Sequence, residues 1–112
     1  CLGVGGNGHL AFNEPSVADF QDPYYIKLVK LESSTLQQQV DRGYFADLEA
    51  VPQYAFTLTI PAICLANKIL CLAPGKHKAL AVQQMLEGSI SADCPASILR
   101  TQAQATLFIE PT

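Results

Sequence analysis

The sequence predicts an α/β domain built as part of a doubly wound parallel sheet, and three observations predict it. Short apolar, β-rich runs alternate with segments of helical period along the 112 residues, the order expected when strands are joined by helical crossovers. A glycine-rich turn follows the first apolar run at once, where open α/β sheets place their ligand loops. The composition is 49% hydrophobic and 15% charged, which suits a buried α/β core and argues against disorder.

The first element is the end of a strand at residues 2–4 (Leu-Gly-Val). Gly5-Gly6-Asn7-Gly8 then supplies residues tolerant of positive φ for a tight turn. Residues 10–15 continue as an ordered loop, and residues 17–23 are polar and unpatterned. Residues 25–31 (Tyr-Ile-Lys-Leu-Val-Lys-Leu) alternate in part and predict a strand. Ser33, Ser34 and Thr35 offer an N-cap for a helix over 36–41 that ends near Gly43. Residues 44–53 connect to a β-rich run at 54–60. Pro61 suits the first position of a short helix through Ala66. Residues 68–72 form an apolar strand broken by Pro74-Gly75. A helix is expected over 76–87, with Ala79, Val82, Met85 and Leu86 on its apolar face and Gly88 at its end. Residues 94–99 read as a loop or one helical turn, and residues 105–109 as a last strand.

The same composition excludes several functions. Ten acids stand against seven bases, for a formal charge of -3, and no basic run is present; nucleic acid is not the expected partner. No stretch approaches the roughly 20 apolar residues that span a bilayer. The cysteines Cys1, Cys64, Cys71 and Cys94 form no CxxC pair and show no zinc spacing. Reduced thiols in a cytoplasmic protein are the expectation. The chain opens at Cys1 without Met and meets its glycine turn after only a few residues, whereas strands commonly run about five. The expectation is therefore one structural unit over residues 1–112 whose N-terminal part, and part of whose functional site, lies upstream.

Chemistry concentrates in residues 3–15, Gly-Val-Gly-Gly-Asn-Gly-His-Leu-Ala-Phe-Asn-Glu-Pro. A glycine turn by itself serves as often to reverse the chain as to bind a ligand. The dinucleotide pattern is not met, because no helix follows and Pro15 arrives soon. His9 is the group that titrates near neutral pH. Asn7 lies two residues before it and Glu14 five after, and a nearby carboxylate can fix an imidazole's tautomer. By spacing alone, a structural histidine and a capping carboxylate remain equally good readings. Lys76 and Lys78, at the start of the expected 76–87 helix, would add positive charge to a helix end that already attracts anions. His77 reads as an exposed neighbour, and Thr57 and Thr59 as ordinary strand residues.

Residues 2–15 resemble the signature of glucosamine-6-phosphate deaminase/isomerases. The sister 6-phosphogluconolactonases share the glycine turn and the histidine, but typically continue with a Thr-Ala-Ser-Leu-Phe-Pro-type sequence in place of Leu10 to Pro15. Residues 51–60, 75–79, 86–88 and 94–97 also stand in the deaminase order. The resemblance implies a Rossmann-like fold of the sugar-phosphate isomerase type and a sugar-phosphate substrate. It implies no metal or organic cofactor and leaves a homo-oligomer possible. It makes His9 the residue that opens the pyranose ring, Glu14 its carboxylate partner and Asn7 the residue that orients it. With Asn in place of Asp, one negative charge beside the imidazole is lost. Lys78 matches a lysine that contacts the substrate phosphate. Arg42 is a candidate for a second phosphate contact, displaced by one residue from the family's arginine-aromatic pattern, and a helix-end cation is its other reading. The family's proton-shuttling aspartate and its Ser/Gly-rich phosphate loop match nothing in this chain, so the 112 residues alone are expected to be inactive. The segment over 17–25 diverges from allosteric members, and no activator site carries over. The alternatives are lactonase or other phosphosugar chemistry, or an inactive remnant.

Overall fold

A computed structural model describes residues 1–110. Three parallel strands form the main sheet in the order β1 (Leu2–Gly3), β4 (Ile69–Ala73), β5 (Ala105–Ile109). Leu2 pairs with Cys71, and Ile69 through Ala73 pair in register with Ala105 through Ile109. Alternation along β4 buries Ile69, Cys71 and Ala73, as a strand packed on one face requires. They meet Val4, Leu10, Ile60, Ile63, Ala81, Met85, Cys94, Ala96 and Leu99 in one core.

The strands expected over 25–31 and 54–60 do not join that sheet. They form β2 (Ile26–Lys30) and β3 (Tyr54–Leu58), a separate antiparallel ribbon. Between them run α1 (Ser33–Asp41) and a 3-10 turn at Leu48–Ala50. The ribbon's inner face buries Val29 and Thr57. Its outer face leaves Ile26, Leu28, Phe56 and Leu58 more than half exposed.

Helix α2 (Ile60–Cys64) begins at Thr59, whose hydroxyl accepts the Ala62 amide, with Pro61 in the first turn. The helix expected over 76–87 is split. Residues Lys76–Lys78 form a 3-10 turn, and α3 (Ala79–Glu87) follows. Ala81 and Met85 form its buried stripe, Val82 packs beside them, and Ala79 and Leu86 are exposed. The buried face is therefore centred on Ala81 and Met85 and not on Ala79 and Leu86, because the docking against the core, not the spacing, selects the stripe. Arg100 is exposed, as a surface residue should be, yet its guanidinium binds the carbonyls of Leu86 and Gly88 and satisfies the end of α3. The 94–99 segment is a 3-10 helix, Pro95–Thr101.

The four cysteines are free thiols, with Cys71 and Cys94 buried. Burial pushes the Cys71 thiol up to about 11, which makes it an inert packing group. Among the described residues no helix is long and apolar enough to cross a membrane, and no group of three or more His, Cys, Asp or Glu could hold a metal ion.

Candidate active site

Parallel sheets present ligands to the loops at the carboxyl ends of their strands. Here the glycine turn after β1 and the Pro74-Gly75 break after β4 lie side by side, because β1 and β4 pair directly. The turn is closed by Gly8 N–H to the Gly5 carbonyl at 2.9 Å and Gly5 N–H to the His9 carbonyl at 3.0 Å. Two glycines are demanded by geometry. A Cβ on Gly5 would sit 2.1 Å from His9 Cε1 and 2.3 Å from both ring nitrogens, so the imidazole lies flat over bare backbone. Gly8 has φ +82°, and a Cβ there would meet Cys94 Sγ at 2.7 Å. That contact and the Ala96 N–H bond to the Gly8 carbonyl, 2.8 Å, dock the 94–97 segment under the turn.

The loop beyond His9 is fastened to β3. The Phe12 amide donates to Thr57 Oγ1 at 3.1 Å, and the Asn13 side chain donates to the carbonyls of Leu10 and Leu58 at 3.0 and 2.7 Å. Ala11 takes φ +54° at the corner, a conformation that a non-glycine residue holds only when its surroundings impose it. Thr57 and Thr59 are thus buried structural residues, Thr57 locking the loop and Thr59 capping α2.

Asn7, His9 and Glu14 come together. Asn7 Oδ1 lies 2.7 Å from His9 Nδ1 and also accepts the His9 amide at 3.1 Å. Both contacts call for an acceptor, which identifies this atom as the oxygen and places a hydrogen on Nδ1. In the neutral ring Nε2 is then the unprotonated nitrogen, and it has no hydrogen-bond partner among the described residues. Glu14 is completely buried. Its Oε1 lies 3.6 Å from His9 Nδ1 and 3.5 Å from Asn7 Nδ2. Closer donors hold it elsewhere: the Glu32 amide reaches Oε2 at 2.6 Å and the Thr35 hydroxyl binds Oε1. Ser33 and Ser34 are exposed and make no cap. The start of α1 is held instead by a carboxylate from a distant loop.

Burial holds His9 below its ordinary value; Glu14 opposes that shift, while Lys78 and Arg42 add to it. The ring is therefore neutral near pH 7. Asn7 is uncharged and adds no electrostatic support for the imidazolium. Lys78 is likewise lowered, by burial and then by Arg42. Its ammonium reaches across to the Val4 carbonyl at the end of β1. Its amide is bonded to the Gly75 carbonyl at 3.1 Å, so the amide expected to await an anion is already in use.

Arg42 caps α1, which closes in a Schellman motif. Gly43, at φ +79°, donates to the Val40 carbonyl at 2.9 Å and Tyr44 to that of Gln39 at 3.1 Å. Gly43 thus supplies the one-residue displacement between Arg42 and its aromatic pair. His9, Lys78 and Arg42 all line one open cleft of about 450 Å³, with the exposed His77 at its rim. Gln38 and Gln39 of α1 form its far wall, residues that no local sequence signal marks. No Asp or Glu of the described residues lines this cleft. A larger groove of about 760 Å³ between α3 and β5 has a mainly apolar lining and lacks His9.

No protein-family model matches the chain. The glucosamine-6-phosphate deaminase of Pseudoalteromonas translucida (strain TAC 125) is 41% identical over 110 residues, spanning 97% of this chain and 39% of that protein. Glucosamine-6-phosphate deaminase 1 of Bacillus subtilis (strain 168) is 40% identical over 109 residues, spanning 97% and 43%. A solved monomeric glucosamine-6-phosphate deaminase superposes with a TM-score of 0.87 at 41% identity, over 96% of this chain and 43% of that one. The 6-phosphogluconolactonase of Leishmania guyanensis, at 24% identity, shares the fold with a TM-score of 0.68 over 98% of this chain and 38% of its own. The chain spans about two fifths of the length of the curated relatives it matches. Along nearly its whole length, this chain is homologous to the glucosamine-6-phosphate deaminases and shares their fold.

Proposed function

We propose that this chain carries the ring-opening and phosphate-binding part of an enzyme that converts glucosamine 6-phosphate to fructose 6-phosphate and ammonia. The observation that carries the reading is the neutral His9, with Nδ1–H held by Asn7 and Nε2 without a partner among the described residues, in one cleft with Lys78 and Arg42. Two cations suit a phosphate, and a neutral imidazole suits proton transfer near pH 7. Nε2 accepts the proton of the anomeric hydroxyl and returns it to the ring oxygen. The bond from C1 to the ring oxygen breaks, an aldehyde forms, and no net proton is consumed. Isomerisation then moves a proton between C2 and C1, and water releases ammonia from the resulting imine. Among the described residues no carboxylate lines the cleft to serve as the base for that step. With free thiols throughout, the cytoplasm is the proposed place of work.

The test is ammonia release from glucosamine 6-phosphate by the protein as its gene encodes it. His9→Gln is expected to lower kcat by on the order of 10²–10⁴-fold. Faster hydrolysis of 6-phosphogluconolactone than ammonia release would transfer the assignment to the sister chemistry.

A further inference from the structure

We propose that Thr35 is a positioning residue of the His9 site: its hydroxyl holds the Glu14 carboxylate against the start of α1 and so keeps the imidazole paired with Asn7. The inference deepens the proposed function and rests on it for its catalytic consequence.

A buried carboxylate has about four acceptor positions to fill. Glu14 fills them unequally. The close donors, the Glu32 amide at 2.6 Å and the Thr35 hydroxyl, both come from the start of α1. The distant ones, Asn7 Nδ2 at 3.5 Å and His9 Nδ1 at 3.6 Å, come from the glycine turn. Thr35 and His9 compete for the same oxygen, Oε1. Thr35 is itself buried, at 4% exposure, so water does not readily replace its hydroxyl. Without that hydroxyl, Oε1 is left facing the imidazole and the Asn7 amide. A charge-assisted bond to Nδ1 would close to about 2.8 Å, displacing Asn7 Oδ1 and favouring the imidazolium.

The charges around the ring make this balance sensitive. Glu14 favours the protonated ring, whereas Lys78 and Arg42 oppose it. Glu32 stands beside Glu14 at the start of α1, and His77 lines the same cleft. An imidazolium has no lone pair on Nε2 with which to accept the anomeric proton. Thr35 therefore preserves the base form of His9, and it does so from the helix that carries Arg42.

The experiment compares Thr35→Val, which keeps the shape and removes the hydroxyl, with Thr35→Ser, which keeps the hydroxyl. The His9 imidazole is titrated by ¹⁵N NMR in the protein as its gene encodes it. In Thr35→Val the proton affinity of His9 is expected to rise about tenfold. The acid limb of kcat for ammonia release should move to higher pH by the same factor, and Thr35→Ser should restore both. A folded Thr35→Val protein with an unmoved His9 midpoint overturns the proposal. If the valine variant does not fold, the wild-type hydroxyl decides. A Thr35 hydroxyl proton protected from exchange supports the bond to Glu14, and one exchanging at the rate of a free hydroxyl overturns it. A moved midpoint in a protein that releases no ammonia from glucosamine 6-phosphate supports the positioning role and rejects the substrate.

Discussion

Position 5 is glycine because a ring lies over it. Gly5→Ala would force the imidazole from its seat, since the added Cβ falls 2.1 Å from Cε1. A displacement of about 1 Å can cost on the order of 100-fold in rate, and that loss in kcat, with KM nearly constant, is the expected kinetic result. His9 also predicts a pH dependence of stability. Its folded value is lowered from 6.5, chiefly by burial, so below 6.5 the unfolded chain binds the proton more readily. Stability is full above that point and declines as pH falls from 6.5 through the folded midpoint. Melting curves between about pH 7.5 and about pH 5 should show a steeper decline for wild type than for His9→Gln. Lys78→Ala and Arg42→Ala should each raise KM about tenfold or more with a smaller change in kcat, as loss of a charge-assisted phosphate contact requires.

The elements show what local pattern can reveal. Strand β5 falls at 105–109 as its apolar run predicts, and β4 and the body of α1 differ from expectation only at their ends. These are segments whose period and flanking breakers decide their state. The face of α3 was not legible, because Ala81, Val82 and Met85 recur at helical steps as well as Ala79, Val82 and Leu86 do, and tertiary packing chooses between the two stripes. Capping at the start of α1 was illegible for another reason. Three hydroxyl residues stand there, but only Thr35 bonds the carboxylate that holds this helix end, Glu14, separated from it by 21 positions. The helix's other end was legible through Gly43. Gly43→Ala should destabilise the protein by about 1 kcal/mol, because φ +79° is costly for alanine. Denaturant unfolding measures that loss, and an unchanged midpoint would contradict the Schellman geometry.

At the scale of the whole molecule, the parallel sheet was legible from the alternation of elements, but the partners of β2 and β3 were not. Both runs have strand character, and nothing local distinguishes a place beside β4 from a separate ribbon. The Asn7, His9 and Glu14 grouping was legible because it lies within one loop; its meeting with Arg42 and Lys78 depends on three elements converging. The ribbon's outer face carries Phe56 at 75% exposure beside Leu28 and Leu58, and α3 and β5 expose Leu80, Leu86, Phe108 and Ile109. Exposed large apolar side chains in such number favour association. The isolated 112-residue chain should sediment as concentration-dependent oligomers. A monodisperse 12.1 kDa species that melts cooperatively would contradict this.

The most direct measurement of the central claim is the ¹⁵N spectrum of the His9 ring at about pH 7. A neutral imidazole is predicted, with the hydrogen on Nδ1 and an unprotonated Nε2, and its Nε2 resonance should respond to glucosamine 6-phosphate. An imidazolium, or a ring with its hydrogen on Nε2, would contradict the account.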